Sequence, residues 1–215
     1  MEINTIGKSK GSFKPDEVRI NLTFKARSRI YDEVLNIGNK SIDDFVNEVL
    51  IKLGFSKNDL QIRNLIVNEE TKYNNQTNSY DLLGYLFESE ALLKFPYDKD
   101  LIALFLKLIN KLTNSPQFVL NFGLIDEEKY RDELIEKAYL DSLDKATVIG
   151  EAANKKIVDV LKVSFQPLDN LYSSNTSFDT RLMYMKHDEI NSFVNYLNPM
   201  DIELEEIVYS LFKAE

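Results

Sequence analysis

Lys186-His187-Asp188-Glu189 holds the single histidine of the 215-residue chain, and it is where an imidazole and carboxylates stand together. An imidazole beside an acid can act as a general base or contribute to a metal site. One histidine and two acids make no metal constellation, and Asp188 is read more simply as the N-cap of a short helix. The chain has no cysteine and no tryptophan. Thiol nucleophiles, disulfides and Cys/His zinc sites are therefore excluded. A Ser-His-Asp arrangement would have to use His187, which lies in the least regular part of the sequence.

Paired carboxylates are the other chemistry on offer. Asp98 and Asp100 precede an apolar helical run, as Glu127 and Glu128 precede a longer one. Acids there are favoured by the free N–H groups and dipole of a helix start, so capping is the better reading. Glu69-Glu70 and Glu88/Glu90 fall on two neighbouring strands. If Glu88 and Glu90 share a face with Glu69, an acidic patch able to hold a divalent cation results; a solvated strand face is the simpler expectation. The glycines are scattered and form no phosphate-binding loop. No catalytic, cofactor-binding or metal-ligating residue is assigned from these patterns.

The elements that would position such groups are well patterned. Apolar residues make up 44% and charged residues 28%, with a formal charge of -9. That is a globular composition, and the negative charge argues against non-specific nucleic-acid binding. Residues 1–30 hold seven Lys/Arg against three Asp/Glu, a charge of +4, which leaves -13 on the rest. No run approaches the roughly 18 apolar residues of a membrane span; Leu101 to Ile109 is half that and contains Lys107. The N-terminus has no signal-peptide pattern, so a cytoplasmic location is expected.

Alternation predicts a strand from Ile3 to Phe13, stopped at Lys14-Pro15-Asp16. A second follows with Val18, Ile20, Leu22, Phe24 and Ala26 buried and Arg19, Lys25 and Arg27 exposed. A helix over 32–53 ends at Gly54, with Gly38 as a weak point in its middle. Strands over 60–73 and 80–95 flank the polar hairpin tip 74–79. Helices over 98–112 and 127–154 enclose the strand PQFVLNFGLI, and the strand KIVDVLKVSF follows. The inner stripe of the longest helix reads Leu134, Ala138, Ser142, Ala146, Ile149 and Ala153, small enough for close packing. Residues 166–199 have turn residues and little period, apart from a short amphipathic stretch after Asp188. The last strand, DIELEEIVYSLF, carries an apparent slip at Glu205-Glu206, the signature of a bulge. The whole predicts one α+β domain, residues 1–215, in which three main helices pack on a mixed, largely antiparallel sheet of about seven strands.

The order of these elements resembles the SIMPL domain (DUF541) family. The resemblance is carried by INTIGKSKGSFKPDEVRINLTF with Pro15-Asp16, LGYLFESEALLKF with Gly84-Tyr85, the helix and strands of 122–165, and the closing NPMDIELEEIVYSLF. Many members of that family look secreted. Asn154-Lys155-Lys156 stands where a glycine turn is usual, and 166–199 matches nothing in it. The resemblance implies an α+β fold and a tendency to self-assemble. Described members range from bacterial envelope proteins that form ring-like oligomers to an animal adaptor of kinase signalling. It brings no common catalytic residues, and no cofactor.

The expected role is a non-enzymatic, self-associating scaffold or binding module. The alternative is a ligand- or cation-binding or hydrolytic protein, using carboxylates and tyrosines near the 74–79 tip or in 166–199. On the first reading the chain forms a homo-oligomer through apolar surface. Ala103, Leu104 and Leu106 of the second helix exceed what a core stripe needs. The basic second strand and acidic last strand are complementary surfaces that meet within one chain or between chains.

Overall fold

A computed structural model describes residues 1–166 and 197–215. Among the described residues, seven strands and three helices give the expected α+β class, but the strands divide between two wholly antiparallel sheets. The described residues form two compact units. One holds 1–15, 124–166 and 200–215; the other holds 16–123 and 197–199.

The first unit is a three-stranded sheet, ordered β1 (Glu2–Phe13), β7 (Ile202–Ala214), β6 (Ile157–Ser164), under the long helix α3 (Glu127–Ala152). β1 pairs with β7 along its whole length, from Glu2↔Lys213 to Phe13↔Ile202, without a break in register. The slip read at Glu205-Glu206 is therefore absent. Even-numbered Leu204, Val208, Ser210, Phe212 and Ala214 are buried, and Ile207, Tyr209 and Leu211 lie on the other face. Glu206 interrupts the apolar phase because Arg131 of α3 reaches it, 2.6 Å from its carboxylate. The bulges belong to β6 instead, at Val158 and Leu161.

α3 lies close to its sheet because its inner residues are small. Leu134, Ala138, Ser142, Ala146 and Gly150 are buried, so the stripe continues to Gly150, with Ile149 exposed. Spacings of four keep these residues on one face, and Ile149 falls off it. A Cβ on Gly7 would lie 1.7 Å from the carbonyl oxygen of Ala138, so only glycine fits where β1 crosses under α3. Thr5 donates to the Ser142 carbonyl, and the Ser142 and Ser210 hydroxyls share a hydrogen bond, which satisfies the buried hydroxyls. Asn154 ends the helix in the left-handed region, φ 52°, serving in place of glycine.

The second unit is a four-stranded sheet, ordered β3 (Leu60–Asn74), β4 (Ser79–Pro96), β2 (Glu17–Ser28), β5 (Gln117–Gly123). α1 (Tyr31–Phe45) and α2 (Lys99–Ile109) contribute to its core. Val18, Ile20, Leu22, Phe24 and Ala26 are buried as predicted. Each large apolar side chain so buried contributes roughly 1.5–3 kcal/mol. Lys25 and Arg27 are exposed, but Arg19 is half-buried: it pairs with Glu17 and lies over Gly123. The helix expected over 32–53 is α1 followed by a π turn (Val46–Leu50) and a 3-10 turn (Ile51–Leu53), stopped by Gly54 at φ 89°. Gly38 is no defect: a Cβ there would lie 2.5 Å from the Phe87 ring.

Candidate functional site

The acids singled out from the sequence are taken up by local structure. Asp98 accepts the N–H groups of Asp100 and Leu101 and caps α2. At the start of α3 the cap is Asp126, which accepts from Lys129; Glu127 instead binds Arg131. Glu88 and Glu90 share a sheet face with Glu70, not with Glu69, which lies opposite Tyr85 on the other face. That face also carries the cations of β2. Lys25 meets Glu88 at 3.4 Å, Arg27 meets Glu70 at 3.1 Å, and Asn64 donates to Glu90. Two acids of β7 are likewise used, Glu205 by Lys10 of β1 and Glu206 by Arg131. So the basic strand β2 meets β3 and β4, and the acidic β7 meets β1 and α3. Among the described residues no group of three or more His, Asp and Glu is placed to hold a metal ion. His187 lies outside the described residues, as does most of 166–199.

Two open clefts are lined by described residues. One of about 590 Å³ is lined by Lys25, Arg27, Ser41, Asn110 and Asn114 among others. Its two cations are already neutralised by Glu88 and Glu70. The other, about 580 Å³, runs past Glu128, Arg131, Ile135 and Phe165. Glu206 and Glu127 hydrogen-bond the Arg131 guanidinium and raise its pKa, against the opposing effect of burial. At the 74–79 tip the polar groups bind one another: Asn74 with Asp81, Thr77 with Ser79, and Tyr73 with Asn78. The Tyr73 and Tyr80 rings meet edge to face at 5.2 Å. None of these places joins a nucleophile to a base.

What the described surface does offer is apolar area on sheet edges. The surplus expected on α2 is largely absorbed, since Ala103 and Leu106 pack against the core and Leu104 alone of the three is exposed. β6 is different. Val158, Val160, Leu161 and Val163 are all exposed, on a strand whose only paired neighbour among the described residues is β7, and Phe165 just beyond it is 62% exposed. The β3/β4 arm adds Leu65, Ile66, Tyr80, Leu82 and Leu83. Sequence alternation finds the β6 strand but assigns it one buried face; position at the sheet edge is set by long-range pairing, which leaves no local mark.

The two edges of the first unit's sheet are treated differently. On the outer edge of β1, the N–H of Lys8 donates to Asp141 at 2.8 Å and the carbonyl of Ile6 accepts from the Lys145 ammonium at 3.0 Å. Asp141 and Lys145 also pair with each other at 2.6 Å, one turn apart on α3. Lys145 lowers the Asp141 pKa most, with the Lys8 N–H adding to it. These side chains occupy two of β1's outward backbone groups, the Lys8 N–H and the Ile6 carbonyl. On β6 Asp159 accepts the N–H of its neighbour Val160 at 2.8 Å, but among the described residues no helix side chain reaches this strand's backbone. An open strand edge is a template for another strand.

A family model described as SIMPL, protein of unknown function (DUF541), matches residues 3–194. Curated proteins give no match.

Proposed function

The chain belongs to the SIMPL family, and from its surfaces we propose that it works as a non-enzymatic, self-associating scaffold or binding module. The observation that carries this reading is β6: an edge unpaired among the described residues, with Val158, Val160, Leu161 and Val163 exposed, whereas α3 side chains bond backbone groups at the β1 edge. A contiguous apolar surface on a soluble protein favours burial against a partner. The hydrolytic or cation-binding alternative has less support, because the acids of the β3/β4 arm are engaged by Lys25, Arg27 and Asn64.

Light scattering across micromolar concentrations tests the proposal. A dimer or larger assembly is expected, and a monomer throughout would overturn self-association. A thermal-shift screen with divalent cations tests the alternative, since a bound ion stabilises the state that binds it.

A further inference from the structure

β6 carries two charged residues, Asp159 and Lys162, in an otherwise apolar run. In a regular strand, residues three apart point to opposite faces. Here the bulge at Leu161 changes that. Asp159 lies opposite Lys213 and Lys162 opposite Leu211, two odd-numbered residues of β7, so both charges share one face of the sheet. Asp159 is bonded to the N–H of Val160, and neither charge has an ion-pair partner among the described residues. Lys10, Arg131 and Lys145, elsewhere in the same unit, all do.

Read in both directions from its middle, the strand is self-complementary. Turned about the point between Val160 and Leu161, Val160 meets Leu161, Asp159 meets Lys162, and Val158 meets Val163. A twofold axis perpendicular to a sheet preserves its faces, so two groups can meet across it only if they lie on the same face. The bulge supplies that condition for the charged pair. We propose that β6 pairs with β6 of a second copy of this chain, antiparallel about a twofold axis between Val160 and Leu161, so that each Asp159 faces the other copy's Lys162. The inference rests on the self-association reading and names its joint. A bulged edge discourages a flat strand, but the second copy carries the same twist in the same hand. The aliphatic residues provide the buried area. The charges favour this register, because it alone sets both Asp159 and Lys162 against an opposite charge.

Charge reversal in the full chain tests this. Asp159→Lys places lysine against lysine twice per dimer, and Lys162→Asp places two acids together twice. Each should weaken self-association roughly tenfold by sedimentation or light scattering. The double variant Asp159→Lys/Lys162→Asp should return to within about threefold of the unaltered protein. Circular dichroism checks that these exposed substitutions leave the fold intact. Assembly that ignores all three variants would overturn β6 as the joint while leaving self-association standing. Weakening by the single changes without rescue in the double would overturn the register. A monomeric parent protein would overturn both readings and leave the edge to another protein's strand.

Discussion

The carboxylate of Asp141 accepts the backbone N–H of Lys8 at 2.8 Å, a helix side chain standing where a further strand would otherwise bond. Lys145 completes the closure at the Ile6 carbonyl, and the two side chains hold each other in position. One i,i+4 pair on α3 thus does more than stabilise its helix. It occupies two backbone groups on the outer edge of β1.

The same contact has a pH signature. Hydrogen bonds from Lys145 and then Lys8 lower the Asp141 pKa. A carboxylate lowered on folding stabilises the folded state above its ordinary range and loses that contribution as pH falls through its lowered value. Protection of the Lys8 amide should therefore persist through the ordinary carboxylate range and weaken only at more acidic pH. Asp141→Asn should speed Lys8 exchange at neutral pH and flatten this dependence. Hydrogen exchange read residue by residue decides it; unchanged Lys8 protection in the variant would refute the closure.

Gly38 gives a second prediction, in which two magnitudes oppose. Glycine to alanine inside a helix ordinarily stabilises by roughly 0.5–1 kcal/mol. Here the new methyl meets the Phe87 ring, with the Cβ 2.5 Å from Cδ1, and overpacking a core costs about 1–3 kcal/mol. Gly38→Ala should be net destabilising by about 1 kcal/mol in chemical denaturation. Against a Phe87→Leu background the same change should cost less or turn favourable. A plainly stabilised Gly38→Ala in the parent would show that the ring yields.

Such local pairings mark the limit of what the sequence makes legible. Alternation places Val18 to Ala26 correctly because burial on one face has a period of two. It misplaces Arg19, since Glu17 and the bare surface of Gly123 are needed to half-bury a guanidinium. It reads a slip at Glu205-Glu206 because a charge on the inner face breaks the pattern; the remedy, Arg131, is 75 residues away. The division into two sheets escapes for the same reason: β1 takes its partner from the other end of the chain. That β6 has a neighbour on one side alone among the described residues is likewise a matter of topology, so its apolar residues look like core.

Arg131 and Glu206 give a third prediction. The Glu206 side chain is 18% exposed and Arg131 41%, so water screens the pair only in part. Arg131→Met leaves Glu206 inward without its donor, which should cost about 1–2 kcal/mol. Adding Glu206→Met should recover much of that loss, because the unpaired charge goes with it. Chemical denaturation of the four proteins in the cycle gives the coupling; strict additivity would mean that the two residues do not interact in solution.

The last prediction separates apolar from ionic assembly. If β6 joins copies mainly by burying Val158, Val160, Leu161 and Val163, the attraction is hydrophobic and insensitive to moderate salt. An interface held by surface charge would weaken as the Debye length falls from about 10 Å at 0.1 M salt to about 3 Å at 1 M. Exposed ion pairs are each worth only about 0–1 kcal/mol, enough to choose a register but too little to hold two chains together. The dissociation constant should therefore change less than about threefold between low and high salt, since exposed pairs add so little. Val160→Lys/Val163→Lys, which removes two of the aliphatics, should instead abolish assembly at micromolar concentration, because lysine at an exposed strand edge opposes pairing. Sedimentation at two salt concentrations reads both effects. Strong salt weakening, with assembly surviving the two lysines, would move the joint away from β6 to a charged surface.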